Sequence, residues 1–178
     1  MLFLQVQREQ DSRLTHMRAL VYAALVVVLD QISKHLVRFN LEVHSTIRIL
    51  GDFFRLTHVE NSGIVFGIGV GGALPYFTIL SIVATILIVY FFYQERSNHL
   101  GVRVSLALVL GGAIGNLIDR LVFGKVVDFL DFGIGQYRFF VFNVADSAVT
   151  VGVFAFLIIT TFVIPSGQKI SSEFNKSG

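Results

Sequence analysis

The sequence contains no cysteine, no tryptophan and only two prolines in 178 residues. Without cysteine there is no disulfide, no thiol nucleophile and no thiolate metal site. Without tryptophan, an aromatic belt at a membrane surface has to come from tyrosine and phenylalanine. Tyr76, Tyr90 and Tyr93 fall where such a belt belongs. Pro75 and Pro165 sit at the edges of apolar runs, not inside them, so they punctuate helices without breaking them. Charged residues are scarce at 15%, and no basic run offers a nucleic-acid surface. No H-E-x-x-H or related metal spacing occurs. None of His16, His35, His44, His58 and His99 is an evident general base for Ser62, Ser81 or Ser147. No repeat and no low-complexity tract is visible.

What the chain has in excess is hydrocarbon: 54% hydrophobic residues and a mean hydropathy of +0.73. The excess is clustered. Ala73–Tyr93, Val104–Ile118 and Ser147–Ile164 carry no charge at all. Met17–Val37 is apolar at its heart but includes Arg18, Asp30, Lys34 and His35. A bilayer core of ~30 Å takes ~20 helical residues. The reading is therefore a mainly α membrane protein with four transmembrane helices, about 17–37, 73–93, 101–119 and 144–164. The runs lack the alternation of barrel strands. The first run lacks an A-x-A cleavage pattern and reads as a retained helix. All of 1–178 reads as one integral-membrane domain, with loops at about 38–72 and 120–143 on one side. Lys and Arg lean only weakly toward the side of the termini, which the positive-inside rule makes cytoplasmic. Alternation in Leu41–Ile49, and extended runs at Phe53–Val59, Val126–Phe132 and Tyr137–Phe142, predict a small β-sheet on the membrane surface.

This topology gathers the polar residues at one membrane face. The first helix ends near Asp30 and Lys34, the third ends at Asn116, Asp119 and Arg120, and the fourth starts at Asn143 and Asp146. Asp128 lies in the loop between the last two. Polar groups inside spanning segments are costly, so a cluster drawn from three helices and a loop invites a functional reading. Each member also has a structural reading. Asp30 and Lys34 are an i,i+4 ion pair in the favourable order. Gly111-x-x-x-Gly115 suits close helix packing, and Gly112, Gly115, Asn116 and Asp119 share one helical stripe. Asn143-x-x-Asp146 matches a capping box. Asp128 lies within the apolar run Val126–Leu130. With no thiol, metal or serine constellation in view, the remaining chemistry is that of two carboxylates. Held close, they share one proton; the ionised member activates water and the protonated member donates to a carbonyl oxygen.

Four segments resemble bacterial lipoprotein signal peptidases (signal peptidase II), in order and across nearly the whole chain. These are Asp30-Gln31-Ile32-Ser33-Lys34; Asn61-Ser62-Gly63-x-x-Phe66-Gly67; Gly111–Arg120 followed by Val126-Val127-Asp128-Phe129; and Phe142-Asn143-x-Ala145-Asp146-Ser147. The resemblance implies an aspartic endopeptidase of the bacterial inner membrane with both termini cytoplasmic and its site near the extracytoplasmic face. Its substrates are prolipoproteins carrying diacylglycerol on a cysteine, cut just before that cysteine. It implies catalytic Asp128 and Asp146. It implies supporting or substrate-lining roles for Asp30, Lys34, Asn61, Gly63, Gly112, Asn116, Asp119, Arg120, Asn143 and Ala145. No metal or cofactor is called for, membrane lipid is the medium, a monomer is expected, and globomycin inhibits the family. The surface strands resemble the family's cradle, and residues around 61–68 its flap. Ile64 and Val65 depart from the family's usual alanines and bear on substrate and inhibitor fit.

Two rivals stand beside this reading. A small proton-coupled transporter or channel subunit would use intramembrane Asp and Lys as an ion path. A lipid-binding or assembly factor would use the same groove without chemistry.

Overall fold

The computed structural model describes residues 2–62, 73–95 and 99–163, with side chains at 15, 17–62, 76–95 and 99–163. Gly63, Ile64 and Val65, and with them most of the expected flap, lie outside the described residues. Four long helices carry the chain: α1 Leu2–Asn40, α2 Ala73–Gln94, α3 Leu100–Phe123 and α4 Val144–Ile158. A π-helical turn, Ile159–Val163, extends α4. Each has a segment long and apolar enough to cross a membrane: Met17–Asn40, Tyr76–Gln94, Leu100–Phe123 and Val144–Val163.

Helix α1 runs further than its apolar core at both ends. Neither proline nor glycine occurs between Leu2 and Asn40, so nothing in the backbone stops it. Helix α3 also overruns the expected boundary at 119 and stops at Gly124. That glycine takes a left-handed φ of 71° and returns its N–H to the Arg120 carbonyl at 3.1 Å.

Four antiparallel strands form one sheet in the order β1-β2-β3-β4: Thr46–Leu50, Phe54–Asn61, Val126–Ile134 and Tyr137–Arg138. The β2–β3 register shifts between Leu56 and Val59 and then pairs Val59 with Asp128 and Asn61 with Val126. The buried His58 ring donates through Nδ1 to the Leu41 carbonyl at 2.9 Å, tying the α1–β1 connection to β2.

Helix α3 is the central pillar, packed against α1, α2 and α4. One apolar cluster joins Ala19 and Ala23 of α1, Phe92 of α2, and Ala107 and Leu110 of α3. A second joins Val37 to Val127 and Phe129 and seats β3 on the end of α1. The glycines of α3 face different partners. A Cβ on Gly111 would meet the Ala23 carbonyl at 2.7 Å; one on Gly112 would meet the Ala145 carbonyl; one on Gly115 would meet Asp30 Oδ2 at 2.6 Å. Close approach of three helices at these points is what brings their polar ends together.

Candidate active site

At the end of the bundle under the sheet, α1, α3, β2, β3 and α4 each deliver a polar side chain to one network. Helix α4 begins with a capping box. Asn143 Oδ1 accepts from the Asp146 N–H at 3.0 Å, and Asp146 Oδ2 accepts from the Asn143 N–H at 3.2 Å. The box fixes the Asp146 carboxylate at the positive end of the helix dipole. Asp128, buried in β3, accepts at Oδ1 from Asn143 Nδ2 at 2.6 Å and at Oδ2 from Asn61 Nδ2 at 2.9 Å. Asn116 completes the ring: its Nδ2 donates to Asp146 Oδ1 at 2.8 Å, and its Oδ1 accepts from Asn143 Nδ2 at 3.2 Å. The two acids are thus joined through two asparagine amides and lie within electrostatic reach of one another.

Asp128 belongs to the sheet, outside the spanning helices. Burial is the main cause that pushes its carboxyl up to about 6, and the Asp146 charge adds to it. The Asn61 and Asn143 hydrogen bonds and the Lys34 charge pull the other way. A carboxyl raised in this way keeps its proton to a higher pH than an ordinary aspartate does.

Beneath the acids lies a buried charge cluster. Lys34 Nζ contacts Asp30 Oδ2 at 2.7 Å, Asp119 Oδ2 at 3.2 Å and Asn116 Oδ1 at 2.9 Å, and all three charged side chains are fully buried. Asp30 Oδ1 accepts from the Ala145 N–H at 2.9 Å, so α1 holds the first turn of α4. Asp119 Oδ2 accepts from the Val127 N–H at 3.3 Å, so α3 holds β3. Because Lys34 can only donate, it fixes the Asn116 oxygen toward itself and leaves the Asn116 nitrogen facing Asp146.

Asp30, Lys34, Asn61, Asn116, Asp119, Asp128, Asn143, Ala145 and Asp146 are therefore connected by direct hydrogen bonds or ion pairs. Gly112 touches the ring sterically, through Ala145. Arg120 bonds the Asn116 carbonyl at 3.4 Å and lies in the field of Asp146, Asp128 and Asp119. Two partners escaped the sequence reading. Arg38 Nη2 pairs with Asp119 Oδ1 at 3.0 Å, and Gln31 Nε2 donates to the Gly115 carbonyl at 3.1 Å and to Asp119 Oδ1 at 3.3 Å. The spacing Asp30, Lys34, Arg38 is a helical stripe and signals Arg38 once α1 is extended to Asn40.

The ring opens on a cavity of about 310 Å³ between α2, α3 and α4. Asp146, Asn116 and Arg120 line its upper end, and Ser81, Thr85 and Thr150 lie along its walls. Among the described residues, no three His, Asp or Glu side chains are grouped as a metal site. The arrangement offers two amide-bridged carboxylates, with Asp146 on a cleft that reaches into the membrane-facing bundle.

Comparison with known proteins agrees. The family model for signal peptidase (SPase) II matches residues 22–163. A lipoprotein signal peptidase of Syntrophotalea carbinolica is 46% identical over 136 residues, 75% of this chain and 84% of that relative. One from Staphylococcus aureus is 35% identical over 155 residues, 87% of this chain and 93% of that relative. A solved bacterial membrane enzyme superposes with a TM-score of 0.74 at 34% identity, over 82% of this chain and 94% of the other. Four membrane-crossing helices, two linked acids and matches across most of the chain carry one conclusion: this chain belongs to the signal peptidase II family, a family of aspartic peptidases of the membrane.

Proposed function

We propose that this chain removes signal peptides from diacylglyceryl-modified prolipoproteins, cutting before the lipidated cysteine with water activated by Asp128 and Asp146. The observation that supports it most is the amide bridge. Asn143 and Asn116 link the two carboxylates while leaving Asp146 on the cavity wall. Asp146, held at a helix N-terminus, takes a proton from water as the water attacks the scissile carbonyl carbon. Asp128 gives its proton to the carbonyl oxygen, and the tetrahedral intermediate then collapses with protonation of the leaving amine. The Asn61 and Asn143 donors stabilise Asp128 as it becomes an anion. Acyl-chain burial, at about 0.8 kcal/mol per CH₂, would hold the modified cysteine at the membrane boundary, the depth of the cavity mouth. In this reading the termini are cytoplasmic and the sheet is extracytoplasmic in a bacterial inner membrane.

A conducting path is less well supported. The α2 hydroxyls that follow the cavity inward are spent on their own helix: Ser81 donates to the Phe77 carbonyl at 2.8 Å and Thr85 to the Ser81 carbonyl at 2.7 Å.

The test is cleavage of a purified diacylglyceryl-modified prolipoprotein in detergent or bilayers. Asp128→Asn and Asp146→Asn each remove an ionisable group while keeping shape. Both are expected to abolish cleavage and leave a folded membrane protein. Turnover retained by either, or cleavage of the unmodified precursor at the same rate, overturns the reading.

A further inference from the structure

The β3–β4 hairpin carries an unusual surface. Ile134 is 77% exposed, Tyr137 86%, Phe139 74% and Phe140 83%. These side chains are more open than most apolar side chains on the membrane-crossing helices, such as Leu80 at 62% and Phe154 at 62%. They cluster within seven residues, Ile134 to Phe140, outside every helix long enough to span a bilayer. Large apolar side chains gathered on a water-facing surface are an aggregation liability and call for a cover.

The hairpin is continuous with the membrane-facing surface. Phe140 precedes the start of α4 at Val144 by four residues, and α4 is itself a span. At ~3.3 Å per extended residue, Phe139 and Phe140 stay within about 17 Å of that helix start. Backbone bonds hold the segment beside β3: Phe139 N–H to the Phe132 carbonyl at 2.8 Å and Phe142 N–H to the Leu130 carbonyl at 3.1 Å. Insertion also leaves no lone charge to desolvate. Arg138 pairs with Asp131 at 2.5 Å, and Thr57 Oγ1 donates to the other Asp131 oxygen at 2.8 Å. The turn itself adds only Gly135 and Gln136, with Gly135 at a left-handed φ of 61°. Tyr137, apolar in its ring and polar at its tip, is an interfacial residue by chemistry, and in a chain without tryptophan it joins phenylalanine in that role.

We infer that Ile134, Tyr137, Phe139 and Phe140 form an interfacial anchor that dips into the leaflet on the sheet's side of the bilayer and fixes the sheet's height over the site. The occupant of this surface is the acyl–headgroup boundary of the host membrane, not a protein. Anchoring here steadies β3, and with it Asp128, against the lipid surface where a membrane-tethered substrate arrives.

The absence of native tryptophan gives a clean test. Phe140→Trp and, separately, Tyr137→Trp place a sole tryptophan in the full chain, reconstituted in phosphatidylcholine–phosphatidylglycerol vesicles. Anchoring predicts blue-shifted emission, loss of most of that emission when the vesicles are made with brominated acyl chains, and little quenching by aqueous iodide. Water-like emission quenched by iodide overturns the anchor. So does blue-shifted emission that brominated lipid leaves unchanged, because that outcome means a protein, another copy of the chain included, covers the surface. Each variant changes one exposed aromatic side chain for another, so folding is expected to hold; cleavage activity of the same sample verifies it.

Discussion

Asn143 Nδ2 lies 2.6 Å from Asp128 Oδ1 and 3.2 Å from Asn116 Oδ1, while the same side chain's oxygen caps α4 by accepting from the Asp146 N–H. One residue thus serves helix stability through its oxygen and the acid pair through its nitrogen. The two roles separate by substitution. Asn143→Ala removes both; loss of the cap alone costs about 1 kcal/mol. Asn143→Ser keeps a capping oxygen but has no amide to span the acids. The serine variant is expected to melt close to the parent yet cleave slower by about 10²-fold, the usual scale for one lost preorganised donor. Thermal midpoints and cleavage rates measured side by side check it; a serine variant with parental activity would reduce Asn143 to a cap.

The pH dependence has a definite sign. Asp128 is pushed up to about 6, chiefly by burial, from an ordinary 3.8. The folded state therefore holds a proton that the unfolded chain releases. This group's contribution to stability is fully present below pH 3.8 and is lost as pH rises through about 6. If Asp128 donates that proton in catalysis, kcat/KM of the free enzyme falls with one-proton dependence above the same pH. The Asn61 amide lowers the Asp128 value by bonding its anion. Asn61→Ala should shift the alkaline limb to higher pH while lowering the maximum rate. A limb that stays in place or moves to lower pH would contradict the assignment.

Much of this architecture was written in local patterns. Uncharged runs such as Ala73–Tyr93 marked spans because lipid admits little else, and Asn143-x-x-Asp146 marked a helix start because unpaired N–H groups need acceptors. Alternating helix direction then placed Asp30, Asp119 and Asp146 at one end. What stayed hidden was non-local. The Asn61–Asp128 contact depends on a β2–β3 register that shifts between Leu56 and Val59, which no single segment encodes. Arg38 lies just past the run Met17–Val37, so that run alone does not carry α1 as far as Asn40. The one small-residue stripe of α3 turned out to serve two partners, with Gly111 against α1 and Gly112 against α4.

Lys34 neutralises two buried acids and orients the Asn116 amide. Lys34→Met keeps the length of the side chain but leaves Asp30 without its cation and Asp119 with Arg38 alone. Breaking a buried pair from one side costs about 3–5 kcal/mol. Adding Asp30→Asn to that variant should recover part of the stability, because the uncompensated charge goes with it. Activity should not recover, since Asn116 is then free to turn its oxygen toward Asp146. Denaturant unfolding of the single and double variants, with cleavage assays, checks both halves; a double variant less stable than Lys34→Met would show that the pair is not the source of the cost.

Gly112 tests whether α4 must sit where it does. A Cβ there meets the Ala145 carbonyl and lies 2.7 Å from Val149 Cγ2, so Gly112→Ala has to push α4 away from α3. The first turn of α4 carries Asp146, and its Ala145 N–H is bonded to Asp30. A comparable insult exists away from the acids: a Cβ on Gly152 meets the Ser105 carbonyl at 2.7 Å. Overpacking at either position costs about 1–3 kcal/mol. Misplacing a catalytic group by even 1 Å costs about 10²-fold in rate. Both alanine variants are therefore expected to lose similar stability, whereas Gly112→Ala alone loses activity out of proportion to its stability. Equal activity in two equally destabilised variants would mean that the α3–α4 spacing at Gly112 is a packing matter and that the acids tolerate the displacement.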